Sequence, residues 1–179
     1  MESQGGIFVP SLRSDFDGDG RSEIPVTSPW GIGILKLSGN TLSAPMIAPN
    51  GTRFGGWLLN TVDNHFVAVA DFDGDRIAEI LLTSPWGIGI LKFSVNTLTA
   101  TMTAPNGTRF GNWLLNTADN RFSPVADFDG DGRSEILVAS PWGIGILKQS
   151  GNTLGAQVMA ANGTRFGGWL LNTADNRFD

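Results

Sequence analysis

Carboxylates recur in this chain at a spacing suited to holding a hard cation. Asp15, Asp17, Asp19 and Glu23 take positions 1, 3, 5 and 9 of a short loop, with Gly18 and Gly20 at positions 4 and 6. The pattern returns after 56 residues as Asp71, Asp73, Asp75 and Glu79, and again after 56 as Asp127, Asp129, Asp131 and Glu135. Aspartates at alternate positions of a tight turn aim several oxygens at one point. Calcium takes about 6–8 oxygen ligands in a flexible shell, whereas magnesium demands a stricter octahedron and gives up water reluctantly. Calcium is therefore the expected ion, one for each of the three loops. The side chains at positions 1, 3 and 5 are the expected ligands. Position 7 (Arg21, Ile77, Arg133) would lend its backbone carbonyl, and the position-9 glutamate would complete the shell directly or through water. An EF-hand is excluded, because position 12 is Val26, Leu82 or Val138 and the flanks read as strands. Without a cation, four like charges crowd each loop. The middle loop departs from the pattern: Arg76 replaces the position-6 glycine. That costs about 1 kcal/mol if φ > 0 is needed, and it adds positive charge, so the middle site is expected to be the weakest.

Three loops in strict register require three similar units to carry them. Residues 1–10 match no later stretch and read as a tail; the units are 11–66, 67–122 and 123–179. Each unit reads as four short strands. The first approaches the acidic loop, as in Val67–Ala70. The second leaves it as a short apolar run, Ile80–Thr83 or Ile136–Ala139, with the length of a buried strand. Pro25 weakens that strand in the first unit. A Ser-Pro-Trp-Gly turn at Ser28, Ser84 and Ser140 leads to Gly-Ile-Gly-Ile-Leu-Lys. There the isoleucines share one face and the glycines the other, so that a ring, a backbone or a ligand can approach closely. The strand's Lys36, Lys92 and Lys148 read as a solvated face. The fourth strand begins near Thr41, Thr97 and Thr153, and Asn-Gly-Thr then marks a turn. No helix-length 3.6-residue period appears. Abundant glycine and short apolar runs make the chain all-β.

A second constellation follows each fourth strand. Arg53, Trp57, Asn60 and Asp63 recur as Arg109, Trp113, Asn116 and Asp119, and as Arg165, Trp169, Asn172 and Asp175. A tryptophan face with nearby Arg, Asn and Asp could bind a sugar, and repetition would add avidity. The competing reading makes the tryptophans packing residues between units and Asn-Thr-x-Asp-Asn a turn.

Composition narrows the function classes. The net charge is −5, and 12 of the 17 acidic residues lie in the loops, which disfavours nucleic acid as a partner. There is no cysteine, so disulfides and thiolate sites are excluded. His65 is the single histidine and stands where later units have Arg121 and Arg177. No cluster breaks the repeat symmetry as a catalytic site would, and an enzyme is not expected. No apolar run is long enough to cross a membrane, and the first residues lack the features of a secretory signal.

The loop Asp-Phe-Asp-Gly-Asp-Gly-x-x-Glu-Ile, set between short strands and repeated at this spacing, resembles the FG-GAP/VCBS repeat family, the blades of integrin-alpha-like β-propellers. The resemblance covers residues 11–178. It implies four-stranded blades around an axis, a structural calcium in the loop between the first two strands, and an extracellular setting. Family members include sugar-binding propellers, adhesion modules and appendages of enzymes, so the ligand is not chosen by the resemblance. Propellers have about 4–8 blades. Three blades are expected to close by self-association, most simply a homodimer of six, while a β-trefoil could close alone. The functional expectation is a calcium-stabilised, multivalent carbohydrate-binding module. The alternative is a structural or protein-interaction scaffold, or a designed or amplified repeat, with calcium its sole ligand.

Overall fold

The structure is a computed structural model describing residues 14–178. The tail expected at 1–10 lies outside the described residues. Seventeen short strands and no helix make up the described chain. The first sheet holds β1 (Ile24–Ser28), β2 (Gly31–Ser38) and β3 (Thr41–Pro49). A two-residue hairpin, β4 (Arg53–Phe54) with β5 (Trp57–Leu58), carries the chain onward. The second sheet holds β6 (His65–Ala70), β7 (Glu79–Ser84), β8 (Gly87–Ser94) and β9 (Thr97–Pro105). A second hairpin, β10 (Arg109–Phe110) with β11 (Trp113–Leu114), precedes the third sheet. That sheet holds β12 (Arg121–Ala126), β13 (Glu135–Ser140), β14 (Gly143–Ser150) and β15 (Thr153–Ala161). A third hairpin, β16 (Arg165–Phe166) with β17 (Trp169–Leu170), ends the described strands. Every sheet is an antiparallel meander, and successive sheets stand side by side with β12 against β6.

Alternation along the strands decides which neighbour each side chain meets. In β8, Ile88 and Ile90 enter the core shared with the third sheet, whereas Leu91 and Phe93 enter the core shared with the first. In β7, Leu81 faces the third sheet, and Ile80 and Leu82 face the first. Each sheet is thus apolar on both faces, which explains the continuous apolar run Ile80–Leu82. Gly87 is required by strand proximity, since a Cβ there would stand 2.2 Å from the Ala104 carbonyl oxygen. Gly89 serves another purpose. A Cβ there would stand 2.5 Å from Cε3 of Trp57, so this glycine makes room for a ring, as the glycine face predicted.

The acidic loops sit at one end of each sheet: in the second and third sheets they join the first two strands, and in the first, where three strands are described, the loop leads into β1. The Ser-Pro-Trp-Gly turn caps the other end of β7, and the Asn106 N–H bonds the Trp86 carbonyl there at 2.8 Å. The inter-sheet connections therefore run at the end remote from the acidic loops. Consecutive acidic loops are tied by backbone: Ala78 N–H donates to Asp15 O, and Ser134 N–H to Asp71 O, both at 2.7 Å.

Candidate functional site

Each acidic loop is folded by its own carboxylates. In the middle loop, Asp71 Oδ1 accepts the Gly74 N–H at 2.6 Å and its Oδ2 accepts the Arg76 N–H at 2.7 Å. Asp75 Oδ1 accepts the Ile77 N–H at 2.9 Å, and Glu79 Oε2 accepts the Phe72 N–H at 2.8 Å. The same bonds recur from Asp15, Asp19 and Glu23 and from Asp127, Asp131 and Glu135. Positions 4 and 6 have positive φ in all three loops, which is the physical reason for glycine there. Arg76 adopts φ 71° without being glycine, so the strain expected from its sequence position is present.

The remaining oxygens converge. One oxygen from each of Asp71, Asp73, Asp75 and Glu79 lies within 4.8 Å of the others, and Asp127, Asp129, Asp131 and Glu135 do likewise. In the first loop Asp15, Asp17 and Asp19 cluster this way while Glu23 stays outside. The position-9 glutamates are buried, and their Oε1 atoms lack an aligned hydrogen-bond donor. Hard anionic oxygens, one of them buried and poorly satisfied, fit a divalent cation such as calcium. When bound, the ion would neutralise charge and link positions 1, 3, 5 and 9 of the second and third loops and positions 1, 3 and 5 of the first. The position-7 residues also do something unforeseen. Ile77 and Arg133 lay their side chains against the position-4 glycines Gly18 and Gly74 of the preceding loop.

Lys36, Lys92 and Lys148 correct the sequence reading. They are not a solvated face; their ammonium groups lie among the carboxylates. Lys92 Nζ stands 2.6 Å from Asp73, 2.6 Å from Asp75 and 3.0 Å from Glu79, the last an ion pair without hydrogen-bond alignment. Lys148 pairs with Asp129, Asp131 and Glu135 at 2.7, 2.8 and 2.7 Å. Lys36 pairs with Asp17 and, at 2.8 Å, Asp19, but lies 3.7 Å from Glu23. The signal was legible in principle: each lysine follows its first loop aspartate by 21 residues in every unit. Desolvation works against the Lys92 charge, but hydrogen bonds to Asp73 and Asp75 and the ion pair with Glu79 hold its pKa well above the ordinary lysine value. Burial pushes Glu79 the other way from a typical paired acid, up to about 7. Burial also raises Glu23.

The second constellation is brought together differently from a sugar site. Trp57 and Trp113 are fully buried between sheets and present no open ring face. Their Nε1–H groups donate to Asn64 and Asn120 at 2.9 and 3.2 Å. Sugar stacking on these two rings is thereby corrected: they pack against the neighbouring sheet. Asn60, Asn116 and Asn172 donate to Asp63, Asp119 and Asp175, each at 2.6 Å, closing a turn within the connection. Arg53, Arg109 and Arg165 are exposed, and so is Trp169 at 62%. The other tryptophans were overlooked as surface groups. Trp30, Trp86 and Trp142 are 59%, 40% and 41% exposed on the Ser-Pro-Trp-Gly turns. Their serines make local turn bonds, as Ser84 Oγ does to the Gly87 carbonyl at 3.3 Å.

A family model matches residues 121–156, from β12 into the start of β15, with the whole third acidic loop inside. The match is to the FG-GAP repeat. The matched unit repeats in register through the chain, and its sheets, four-stranded in the second and third units and with three described strands in the first, are consistent with propeller blades. No curated protein matches the chain. Among the described residues no helix is long and apolar enough to cross a membrane.

Proposed function

We propose that the chain is a β-propeller-type binding module whose acidic loops hold calcium as a structural ion. The observation that carries this reading is the threefold convergence of position 1, 3 and 5 carboxylates, joined in the second and third loops by a buried glutamate oxygen. The carboxylates are committed to shaping the loops, which supports a non-catalytic role. Isothermal titration with calcium, magnesium and EGTA tests it. Calcium should bind at up to three sites and raise the melting temperature, with magnesium far weaker. No calcium uptake at millimolar concentration overturns the reading.

Carbohydrate is the ligand class we propose for the surface remote from the loops, in an extracellular setting. Support comes from the exposed rings of Trp86 and Trp142, which repeat once per blade as a multivalent binder would require. A glycan array with wild type and Trp86→Ala tests this. Glycan binding lost in the variant supports it, and no binding by the assembled protein leaves a scaffold that binds proteins or calcium alone.

A further inference from the structure

The exposed faces at the two ends of the described chain correspond to the two sides of the internal junctions between blades. At the internal junctions, Trp57 covers Gly89 and packs against Trp86 with ring centroids 4.4 Å apart. Trp113 covers Gly145 and packs against Trp142 at 4.3 Å. A Cβ built on the preceding Gly55 or Gly111 would stand 3.9 Å from the Cβ of Ala100 or Ala156 in the next blade. The equivalent donor on the third blade is Trp169, 62% exposed, and among the described residues nothing lies within 4 Å of a Cβ built on Gly167 or Gly168. The equivalent acceptor on the first blade is Gly33. A cavity of about 210 Å³ opens over it, lined by Val26, Trp30, Gly33, Ala44 and Ile47 among others.

The surroundings agree position by position. Ile24, Val26 and Leu42 of the first blade are 51%, 36% and 56% exposed. Their counterparts Ile80, Leu82 and Leu98 are 1%, 1% and 2% exposed, because the preceding blade covers them. On the third blade Phe128 and Phe166 are 43% and 50% exposed, whereas Phe72 and Phe110 are 0% and 1%. Both ends are therefore apolar where the internal junctions are buried, and each offers the half of the junction that the other lacks. Exposed apolar surface at positions that are buried elsewhere in the same repeat marks an association site. The contact joins unlike faces, so it is heterologous and closes into a ring or propagates according to its rotation.

We propose that a second copy of this chain seats its Trp169 indole over Gly33 and against Trp30, repeating the internal blade junction between copies. This rests on the blade architecture and not on the calcium or carbohydrate readings. The experiment is sedimentation of the 179-residue chain across a concentration series, in calcium and in EGTA. Wild type should form assemblies whose mass is a multiple of 19.0 kDa. Trp169→Ala, which empties the donor, and Gly33→Leu, which fills the acceptor, should each weaken association by at least about tenfold. Circular dichroism should show both variants folded, because Trp169 is exposed and the cavity over Gly33 is open in the single chain. An equimolar mixture of the two variants should regain paired species, since one contributes the intact slot and the other the intact indole. A monomer at every concentration overturns the proposal, and would point to another part of the chain lying over the slot. Association that survives both substitutions also overturns it. Loss of assembly in EGTA together with loss of the fold would trace to the loops instead, and the calcium arm alone then decides.

Discussion

The indole of Trp57 lies directly over Gly89 of the next blade, with its other neighbour, Trp86, tilted 44° to it. This single relationship explains the glycine face of β8, the burial of one tryptophan series and the partial exposure of the other. Gly89→Ala should destabilise the fold by about 1–3 kcal/mol, because a Cβ 2.5 Å from a fully buried ring cannot be absorbed by a rotamer change. Gly33→Ala should cost less in the dissociated chain, where the Cβ meets Met46 O and Val26 Cγ2 at 3.3 Å and no indole. Urea denaturation at low protein concentration would compare them. Equal losses contradict the account.

Arg76 holds φ 71° at a position where the other loops have glycine. Arg76→Gly should stabilise the metal-free chain by about 1 kcal/mol through relief of backbone strain. It should also tighten calcium at the middle loop by removing a nearby positive charge. Chemical denaturation in EGTA reads the first effect and calorimetry the second. A destabilised variant would show that the Arg76 side chain contributes more than its backbone costs.

Lys92 occupies the space among Asp73, Asp75 and Glu79 that a bound cation would also seek. Lys92→Met should therefore have opposite effects in the two states. In EGTA it should cost about 1–3 kcal/mol, since the buried Glu79 loses its countercharge. With calcium, the middle-site affinity should rise by at least about tenfold, because no tethered ammonium has to be displaced. Unchanged affinity would mean that ion and ammonium do not compete.

Glu79 predicts a pH dependence in the metal-free chain. Burial lifts its folded pKa to about 7, above the ordinary 4.5. The folded state then binds the proton more tightly than the unfolded one. Its contribution is fully present below pH 4.5 and is lost as pH rises through about 7. Asp75 works in the opposite sense but in another window. Burial opposes the shift, yet its Lys92 hydrogen bond holds it below the usual carboxylate range, so its contribution is lost only in more acidic solution. In EGTA, the stability of wild type relative to Glu79→Gln should increase as pH falls from about 8 to 5. Parallel curves across that range would contradict it.

The repeat, the strand order and the acidic loops were legible in the sequence because they depend on local rules. Alternating aspartates fold a turn through bonds to backbone two to five residues away, and glycine marks the two positive-φ positions. Arg76 was recognisable as an exception for the same reason. The glycine face of Gly87 and Gly89 announced a close approach without naming what approaches.

What approaches is a tryptophan 32 residues earlier in the chain, and only the packing of one blade on the next decided that. Trp57 and Trp86 look alike in sequence, yet one is buried and the other exposed, because burial depends on which side of a junction each occupies. Likewise Lys92 reads as an ordinary outward lysine until the β7–β8 pairing sets it opposite Glu79 and within reach of the loop. By itself the sequence determined the unit and its acidic loop, since both are built from residues near one another along the chain. The tertiary structure decided which aromatic rings remain available to a partner, and that the ammonium of each unit already stands in the acidic site. Those outcomes depend on contacts between residues whose separation in sequence carries no local signature.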